Sequence, residues 1–177
     1  MSQYSRLINR SHPLAASYRP VSLIDAGIPF DALPTDPKRL LEPQTAYAAQ
    51  DLFSHAAACG IHLYGISGYR SYERQKQLYN GSPQIAPPGA SEHQSGLALD
   101  VSCPSLGLAL EESFADTPEG RWLYLHAPLY GFIIRYPQNK QHITGYPWEP
   151  WHIRYVTRSL SVYLKWTGMT LEEFHLL

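Results

Sequence analysis

The stretch SEHQSGLALD, residues 91 to 100, carries a histidine and an aspartate with six residues between them. An imidazole nitrogen and a carboxylate oxygen are both good zinc ligands, and a catalytic zinc takes about three protein ligands and keeps one position for water. His93 and Asp100 are therefore candidates for two ligands of a metal site, which requires a third ligand elsewhere in the chain.

Among the eight histidines, His152 is the candidate for the third ligand because it lies in WEPWHIRYV, three residues after Glu149. A carboxylate that does not bind the metal can take a proton from water and deliver it to a leaving amine. The neighbouring Trp148 and Trp151 are predicted to exclude water and to raise the pKa of Glu149.

These spacings alone leave two interpretations open, because a His-x6-Asp pair and a Glu-x-x-His pair both occur by chance. One interpretation is a zinc-dependent hydrolase. The other is structural: a surface turn followed by a strand, and a histidine on a second strand that bonds only to backbone groups.

Composition restricts the class of protein. The chain has 177 residues, of which 44% are hydrophobic and 16% charged, as in a single globular domain. The formal net charge of −1 argues against nucleic acid or an anionic membrane surface as a partner. No apolar run approaches the roughly 18 residues that would indicate a membrane span, and the N-terminal residues do not resemble a secretory signal. We therefore expect a cytoplasmic protein; the sequence gives no prediction of its oligomeric state.

The two cysteines, Cys59 and Cys103, are too few for a disulfide framework. Both lie among small or apolar residues, so both are predicted to be reduced thiols in the core.

Apolar periodicity and turn residues predict one α+β domain over residues 1–177, with helices packed on a small antiparallel sheet and the metal site in a cleft on that sheet. Five prolines in residues 1–40 exclude long helices there, so this segment is predicted to be an extended N-terminal arm. Helices are predicted over 43–59 and 72–79, from Pro118, and from Thr170 to the end. Strands are predicted over 61–67, 97–102, 132–137 and 151–156.

In combination, SEHQSGLALD and EPWHIRYV resemble the VanY-type zinc D-alanyl-D-alanine carboxypeptidases, a group that also includes VanX-type D,D-dipeptidases and bifunctional VanXY proteins. SGYRSYERQ (67–75) and YGFIIRYPQNKQHITGYPWEPWHIRYV (130–156) resemble further signatures of the group. LINRSHPL and TLEEFH, near the two ends of the sequence, are similar to the bifunctional subgroup. The resemblance therefore extends over nearly the whole chain.

The resemblance implies one Zn²⁺ per chain, with His93, Asp100 and His152 as its ligands. It also implies Glu149 as the catalytic base and acid.

The resemblance further implies a substrate-facing role for Arg70, whose planar guanidinium suits an oxyanion or a substrate carboxylate. Ser91 is a candidate for a hydrogen bond to the substrate, with a turn cap as the alternative. Gln75 is a weaker candidate, since it could equally be an exposed helical residue. Arg154, on the same strand face as His152, is predicted to support the site or the fold.

The implied reaction is removal of the terminal D-Ala from peptidoglycan precursor peptides that end in D-Ala-D-Ala, with the free dipeptide as a second candidate substrate and a role in vancomycin-type resistance. The alternatives are an L,D-carboxypeptidase or peptidoglycan endopeptidase with the same zinc site, and a non-catalytic zinc-binding module. Many relatives have a longer insertion where this chain has only SPQIAPPGA (82–90). This predicts an open cleft that accepts the end of a long peptide.

Overall fold

Four strands from distant parts of the chain form the antiparallel sheet at the centre of the α+β fold, in the order Tyr64–Ser67, Ala98–Ser102, Glu149–Tyr155 and Phe132–Tyr136. The computed structural model describes residues 2–83 and 85–177. A separate pair of short strands, β1 and β2, lies earlier in the chain. The strands are β1 (Ile24–Asp25), β2 (Leu40–Leu41), β3 (Tyr64–Ser67), β4 (Ala98–Ser102), β5 (Phe132–Tyr136) and β6 (Glu149–Tyr155).

Helices cover both faces of the sheet. The helices predicted from the sequence are confirmed, and most of their predicted first and last residues lie within one or two positions of the observed ones. The structure adds two helices that the sequence analysis did not predict, α4 and α5. The helices are α1 (Pro43–Ala58), α2 (Tyr72–Leu78), α3 (Pro118–His126), α4 (Gln141–Thr144), α5 (Arg158–Thr167) and α6 (Leu171–Phe174).

Helix α1 has clear start and stop signals. Pro43 occupies its first turn, where the missing N–H leaves no hydrogen bond unmade. The backbone N–H of Thr45 donates to the Glu42 carboxylate, which caps this end. A stripe of residues with three- and four-residue spacing packs into the core: Ala46, Ala49, Leu52, Phe53 and Ala56.

The prediction that both cysteines are buried is wrong for Cys59. Cys103 is buried, whereas Cys59 is exposed at the C-terminal end of α1. The last buried residue of the helix is Ala56, and the chain turns at Gly60, which has a φ of 75°. Cys59 therefore lies beyond the apolar stripe and faces solvent.

The two faces of the central sheet have different environments. One face packs against α1 and α3 in the main core, where Leu52 and Leu123 meet Leu99 of β4 and Ile153 of β6. The opposite face of β5 contributes Ile133 to a smaller cluster with α5 and α6. Because side chains alternate along a strand, the polar neighbours of Leu99 and Ile153 project away from the main core.

Residues 2–40 run over this body mostly without regular structure. They nevertheless contribute buried apolar residues: Ile8, Leu14, Ala26 and Ile28. Near the start of the segment, the backbone carbonyls of Tyr4 and Arg6 accept hydrogen bonds from Arg154 of β6. Among the described residues, the structure contains no helix with the length and apolar character needed to cross a membrane.

We predict that Leu99→Ala lowers the free energy of unfolding by about 2–5 kcal/mol, because Leu99 is fully buried and the truncation leaves a cavity. The matched control is Leu125→Ala on α3, where the leucine is 61% exposed, with an expected change within about 0.5 kcal/mol. Urea unfolding of both variants measures the difference. Equal losses would show that the core is not where the structure places it.

Candidate metal centre

The register of β4 and β6 brings two of the predicted ligands together. Asp100 and His152 are direct cross-strand partners on the face that projects away from the main core. Nδ1 of His152 lies 2.8 Å from Oδ1 of Asp100. Strand pairing therefore joins residues that are 52 positions apart in the sequence.

His93 reaches the same point from a short 3₁₀-helix, Glu92–Ser95, that ends at Gly96. Gly96 has a φ of 70°, and a Cβ there would lie 3.0 Å from the backbone nitrogen of Glu42, so only glycine fits this turn without strain. Nδ1 of His93 lies 2.7 Å from the carbonyl oxygen of Gly68. This contact leaves Nε2 of His93 facing Asp100, 3.2 Å from Oδ2.

The three side chains have the geometry of a metal site. Their ligand atoms all lie within 4.8 Å of one another, and each residue is only 4% exposed. Zinc–nitrogen and zinc–oxygen bonds are about 2.0–2.2 Å long, so ligands of one tetrahedral ion lie roughly 3–4 Å apart. Two imidazoles and one carboxylate at these separations fit a zinc ion.

The electrostatics of the site favour a positive charge. Burial alone would lower the pKa of His152, but the carboxylates of Asp100 and Glu92 outweigh it and raise the pKa to about 10. Burial would raise the pKa of Asp100, yet His93 and His152 hold it well below its usual range. The carboxylates thus remain ionised and attract a cation.

Glu149, at the start of β6, lies beside this group without belonging to it. Its Oε2 is 3.9 Å from Nδ1 of His152, and its side chain is 17% exposed. Burial raises the pKa of Glu149 to about 7; His152 and Arg70 oppose this shift, and the charges of Asp100 and Glu92 add to it. The carboxyl group can therefore hold or release a proton near neutral pH.

Arg70 faces the candidate metal ligands and is fixed in place by its neighbours. Its Nη2 lies 3.9 Å from Oδ2 of Asp100 and donates to the Ser67 hydroxyl at 3.1 Å. Its Nη1 donates to the side-chain oxygen of Gln75 at 2.9 Å. Gln75 is buried and also donates to the carbonyl of Ala86. It is therefore not the exposed helical residue of the alternative interpretation, and it orients Arg70.

The cleft that contains these groups has a volume of about 160 Å³. Ser91 lines it and makes no capping hydrogen bond to the 3₁₀-helix that follows. The walls also include Trp151, as predicted, and two tyrosines that the sequence analysis did not identify, Tyr136 and Tyr146. Trp148 does not line this cleft, so its predicted role there is wrong; it lies immediately before β6 and lines separate cavities.

Sequence analysis also missed the buried ionic cluster behind the ligands, formed by Glu92, Arg135, Arg154 and Glu172. Oε1 of Glu92 accepts hydrogen bonds from Nε of Arg135 and Nη1 of Arg154, each at 2.7 Å. Arg154 therefore supports the site and the fold, as predicted. A signal was available, because an arginine inside an apolar strand such as FIIRY or HIRY requires a buried carboxylate partner.

Comparison with known proteins identifies relatives over nearly the whole chain. The VanY family model, described as D-alanyl-D-alanine carboxypeptidase, matches residues 38–158. YodJ of Bacillus subtilis is 39% identical over 178 residues, which span 95% of this chain and 65% of YodJ. The bifunctional D-Ala-D-Ala dipeptidase and carboxypeptidase VanXYC of Enterococcus gallinarum is 35% identical, over 96% of this chain and 92% of its own length.

Solved structures agree with this relationship. The LdcB LD-carboxypeptidase superimposes with a TM-score of 0.92 at 38% identity, covering 96% of this chain and 84% of LdcB. A variant of the D,D-pentapeptidase VanY from a VanB-type resistance cassette, in complex with Zn(II), superimposes with a TM-score of 0.79 at 30% identity, covering 98% and 99% of the two chains. This chain belongs to the VanY family of D-alanyl-D-alanine carboxypeptidases.

Proposed function

We propose that this chain is a zinc-dependent D,D-carboxypeptidase that removes the terminal D-Ala from peptidoglycan precursor peptides ending in D-Ala-D-Ala. The observation that carries the proposal is the convergence of His93, Asp100 and His152 in one cleft beside Glu149 and Arg70. The free dipeptide D-Ala-D-Ala is a second candidate substrate, since the relative VanXYC is named for both activities.

The proposed metal ligands are Nε2 of His93, a carboxylate oxygen of Asp100 and Nδ1 of His152. When bound, zinc lowers the pKa of a coordinated water to about 7 and polarises a carbonyl oxygen. Three protein ligands leave one position for water or substrate, which distinguishes a catalytic site from a structural one closed by four ligands. This open position argues against the non-catalytic zinc-binding module.

Glu149 is the proposed general base and then the general acid. Its carboxylate takes a proton from the attacking water and transfers that proton to the nitrogen of the departing D-Ala. Its position next to His152, outside the ligand group but inside the cleft, suits a group that exchanges a proton without binding the metal.

Arg70 is the proposed partner for negative charge on the substrate, either the terminal carboxylate or the oxygen of the scissile carbonyl. The hydrogen bonds to Ser67 and Gln75 keep the guanidinium aimed into the cleft, so little reorganisation is needed when substrate arrives. Ser91, which lines the same cleft, is proposed to bond to the peptide backbone.

An L,D-carboxypeptidase is the second candidate function, because LdcB, an LD-carboxypeptidase, superimposes with a TM-score of 0.92. The same metal and base would hydrolyse either linkage, and the shape of the substrate pocket decides between them. An endopeptidase with this site is a less direct alternative. A cytoplasmic location and a role in glycopeptide resistance remain predictions.

We predict that Glu149→Gln keeps zinc but lowers kcat by at least about 10²-fold, because the amide cannot accept the proton from water. His93→Ala is expected to lose both bound zinc and activity. Metal analysis of the purified variants and release of D-Ala from a pentapeptide stem measure the two effects.

The control for these variants is His142→Ala, which removes an exposed histidine outside the cleft and should change neither zinc content nor activity. A chelator should abolish turnover by the unmodified protein, and added zinc should restore it. Full turnover by Glu149→Gln would refute the proposed base.

Specificity is tested by comparing products from a muramyl pentapeptide, a muramyl tetrapeptide and free D-Ala-D-Ala. We expect release of one D-Ala from the pentapeptide with the highest kcat/KM, because the short 82–90 segment leaves room for a long stem. Cleavage of the tetrapeptide alone would establish the L,D function instead. A large preference for the free dipeptide would contradict the open cleft.

Gln75→Leu should raise KM and lower the free energy of unfolding by about 1–3 kcal/mol, because Arg70 loses an orienting partner and buried polar groups are left unpaired. The matched control is Gln77→Leu on the same helix, at an exposed position. Steady-state kinetics and thermal unfolding compare the two variants. A KM unchanged by Gln75→Leu would exclude an orienting role.

A further inference from the structure

Two buried polar atoms face each other behind the candidate metal centre, and neither has a hydrogen-bond partner. They are Oε2 of Glu92 and Nε2 of His152, which lie 3.6 Å apart. Both residues are almost fully buried, with exposures of 1% and 4%. Buried polar groups without partners are costly and rare in folded proteins, so this pair calls for a physical explanation.

We propose that Glu92 is a positioning residue for His152: its Oε2 accepts the Nε2–H of the imidazole and thereby leaves Nδ1 unprotonated and directed at the metal position. This inference rests on the proposed zinc function, because it assigns Nδ1 of His152 as the ligand atom. The mutual orientation of the side chains supports that assignment, since Nδ1 is the nitrogen that faces Asp100, at 2.8 Å.

His93 shows the same arrangement, in which one ring nitrogen donates to an oxygen and the other faces the metal position, but with the roles of Nδ1 and Nε2 exchanged. Nδ1 of His93 is 2.7 Å from the carbonyl oxygen of Gly68, which can only accept a hydrogen bond. Nδ1 therefore carries the proton, and the neutral imidazole leaves Nε2 unprotonated. Metal-binding histidines commonly donate the other ring N–H to a carboxylate or a carbonyl. Within the described part of the chain, Glu92 is the acceptor placed to serve His152 in this way.

The ionic cluster holds the Glu92 carboxylate in this orientation. Both arginines donate to Oε1, at 2.7 Å each, which fixes that oxygen and turns Oε2 toward His152. Arg135 is held in turn by two hydrogen bonds from Nη1 and Nη2 to Glu172, at 2.8 and 2.6 Å. Two carboxylates and two guanidinium groups balance in charge, so Oε2 is not needed to neutralise an arginine.

The gap between the two atoms is small enough for the proposed bond to form. A hydrogen bond between nitrogen and oxygen requires a separation of up to about 3.2 Å, and the observed separation is 3.6 Å. The proposal therefore requires these two atoms to lie about 0.4 Å closer in the zinc-loaded protein.

The variant Glu92→Gln gives a specific test, because an amide has one accepting and one donating end. Arg135 and Arg154 are both donors, so they require the amide oxygen at the place of Oε1. The amide NH₂ then faces Nε2 of His152. When Nδ1 binds zinc, the proton lies on Nε2, and two donors oppose each other.

The experiment measures the zinc Kd by competition with a chelator and observes the imidazole protons of His152 by ¹⁵N–¹H NMR in the zinc-loaded protein. We expect Glu92→Gln to weaken zinc binding about 10–100-fold, the usual effect of losing such an outer partner. In the unmodified protein, the proton of His152 should lie on Nε2 and exchange slowly with solvent.

The matched control is Glu172→Gln, which removes a charge from the same cluster and the same Arg135 but makes no contact with His152. It should weaken zinc binding far less than Glu92→Gln does, even if its thermal stability falls as much, because Arg154 still holds the Glu92 carboxylate. An unchanged Kd for Glu92→Gln, or an equal loss in both variants, would overturn the positioning role.

The NMR measurement on the unmodified protein decides the question even if Glu92→Gln does not fold, since a proton on Nδ1 of zinc-bound His152 contradicts the proposal. Failure of the proposed function gives a different result. Suppose that the unmodified protein binds zinc and that Glu92→Gln weakens this binding as expected, but that the unmodified protein cleaves no peptide stem. This result would support the positioning role and refute the carboxypeptidase function.

Discussion

The pairing of β4 with β6 is the constraint on which the site depends. It sets Asp100 directly opposite His152 and turns both side chains away from the main core. Because the side-chain period of a strand is two, a slip of one residue would move one partner into the apolar face and out of reach of the other. Leu99 and Ile153, also opposite each other, oppose such a slip because they are fully buried on the core side.

The polar side of this arrangement is stabilised differently from the apolar side. Glu92, Arg135 and Arg154 are fully or almost fully buried, and removing such charges from water costs several kcal/mol each before any pairing is counted. An apolar cluster of the same volume would often be as stable or more stable. The ionic cluster adds a fixed orientation, because the hydrogen bonds from a guanidinium group are directional and hold a carboxylate in one orientation. Packed methyl groups make no directional bonds.

Sequence reasoning identified the features whose signals are local. The alternation in LALDVS predicted a strand with Asp100 on its polar side, and proline and capping residues predicted where α1, α3 and α6 begin. It missed α5, because Thr157 precedes that helix with a φ of 85° and provides no side-chain cap. The role of Glu92 was equally hidden, since it depends on arginines 43 and 62 residues away.

Segments near both ends of the described residues meet behind the candidate metal centre. The carbonyl of Ser5 contacts Nε2 of His175 at 2.6 Å, and Asn9 donates to Glu172, across separations of 170 and 163 residues. During synthesis on the ribosome, Ser5 and Asn9 must therefore wait for residues 172–175 before these contacts can form. Contacts of such long range also slow folding. A polypeptide whose synthesis has not yet reached Glu172 lacks the carboxylate that holds Arg135 behind the candidate metal centre, so this support forms only after that segment has been made.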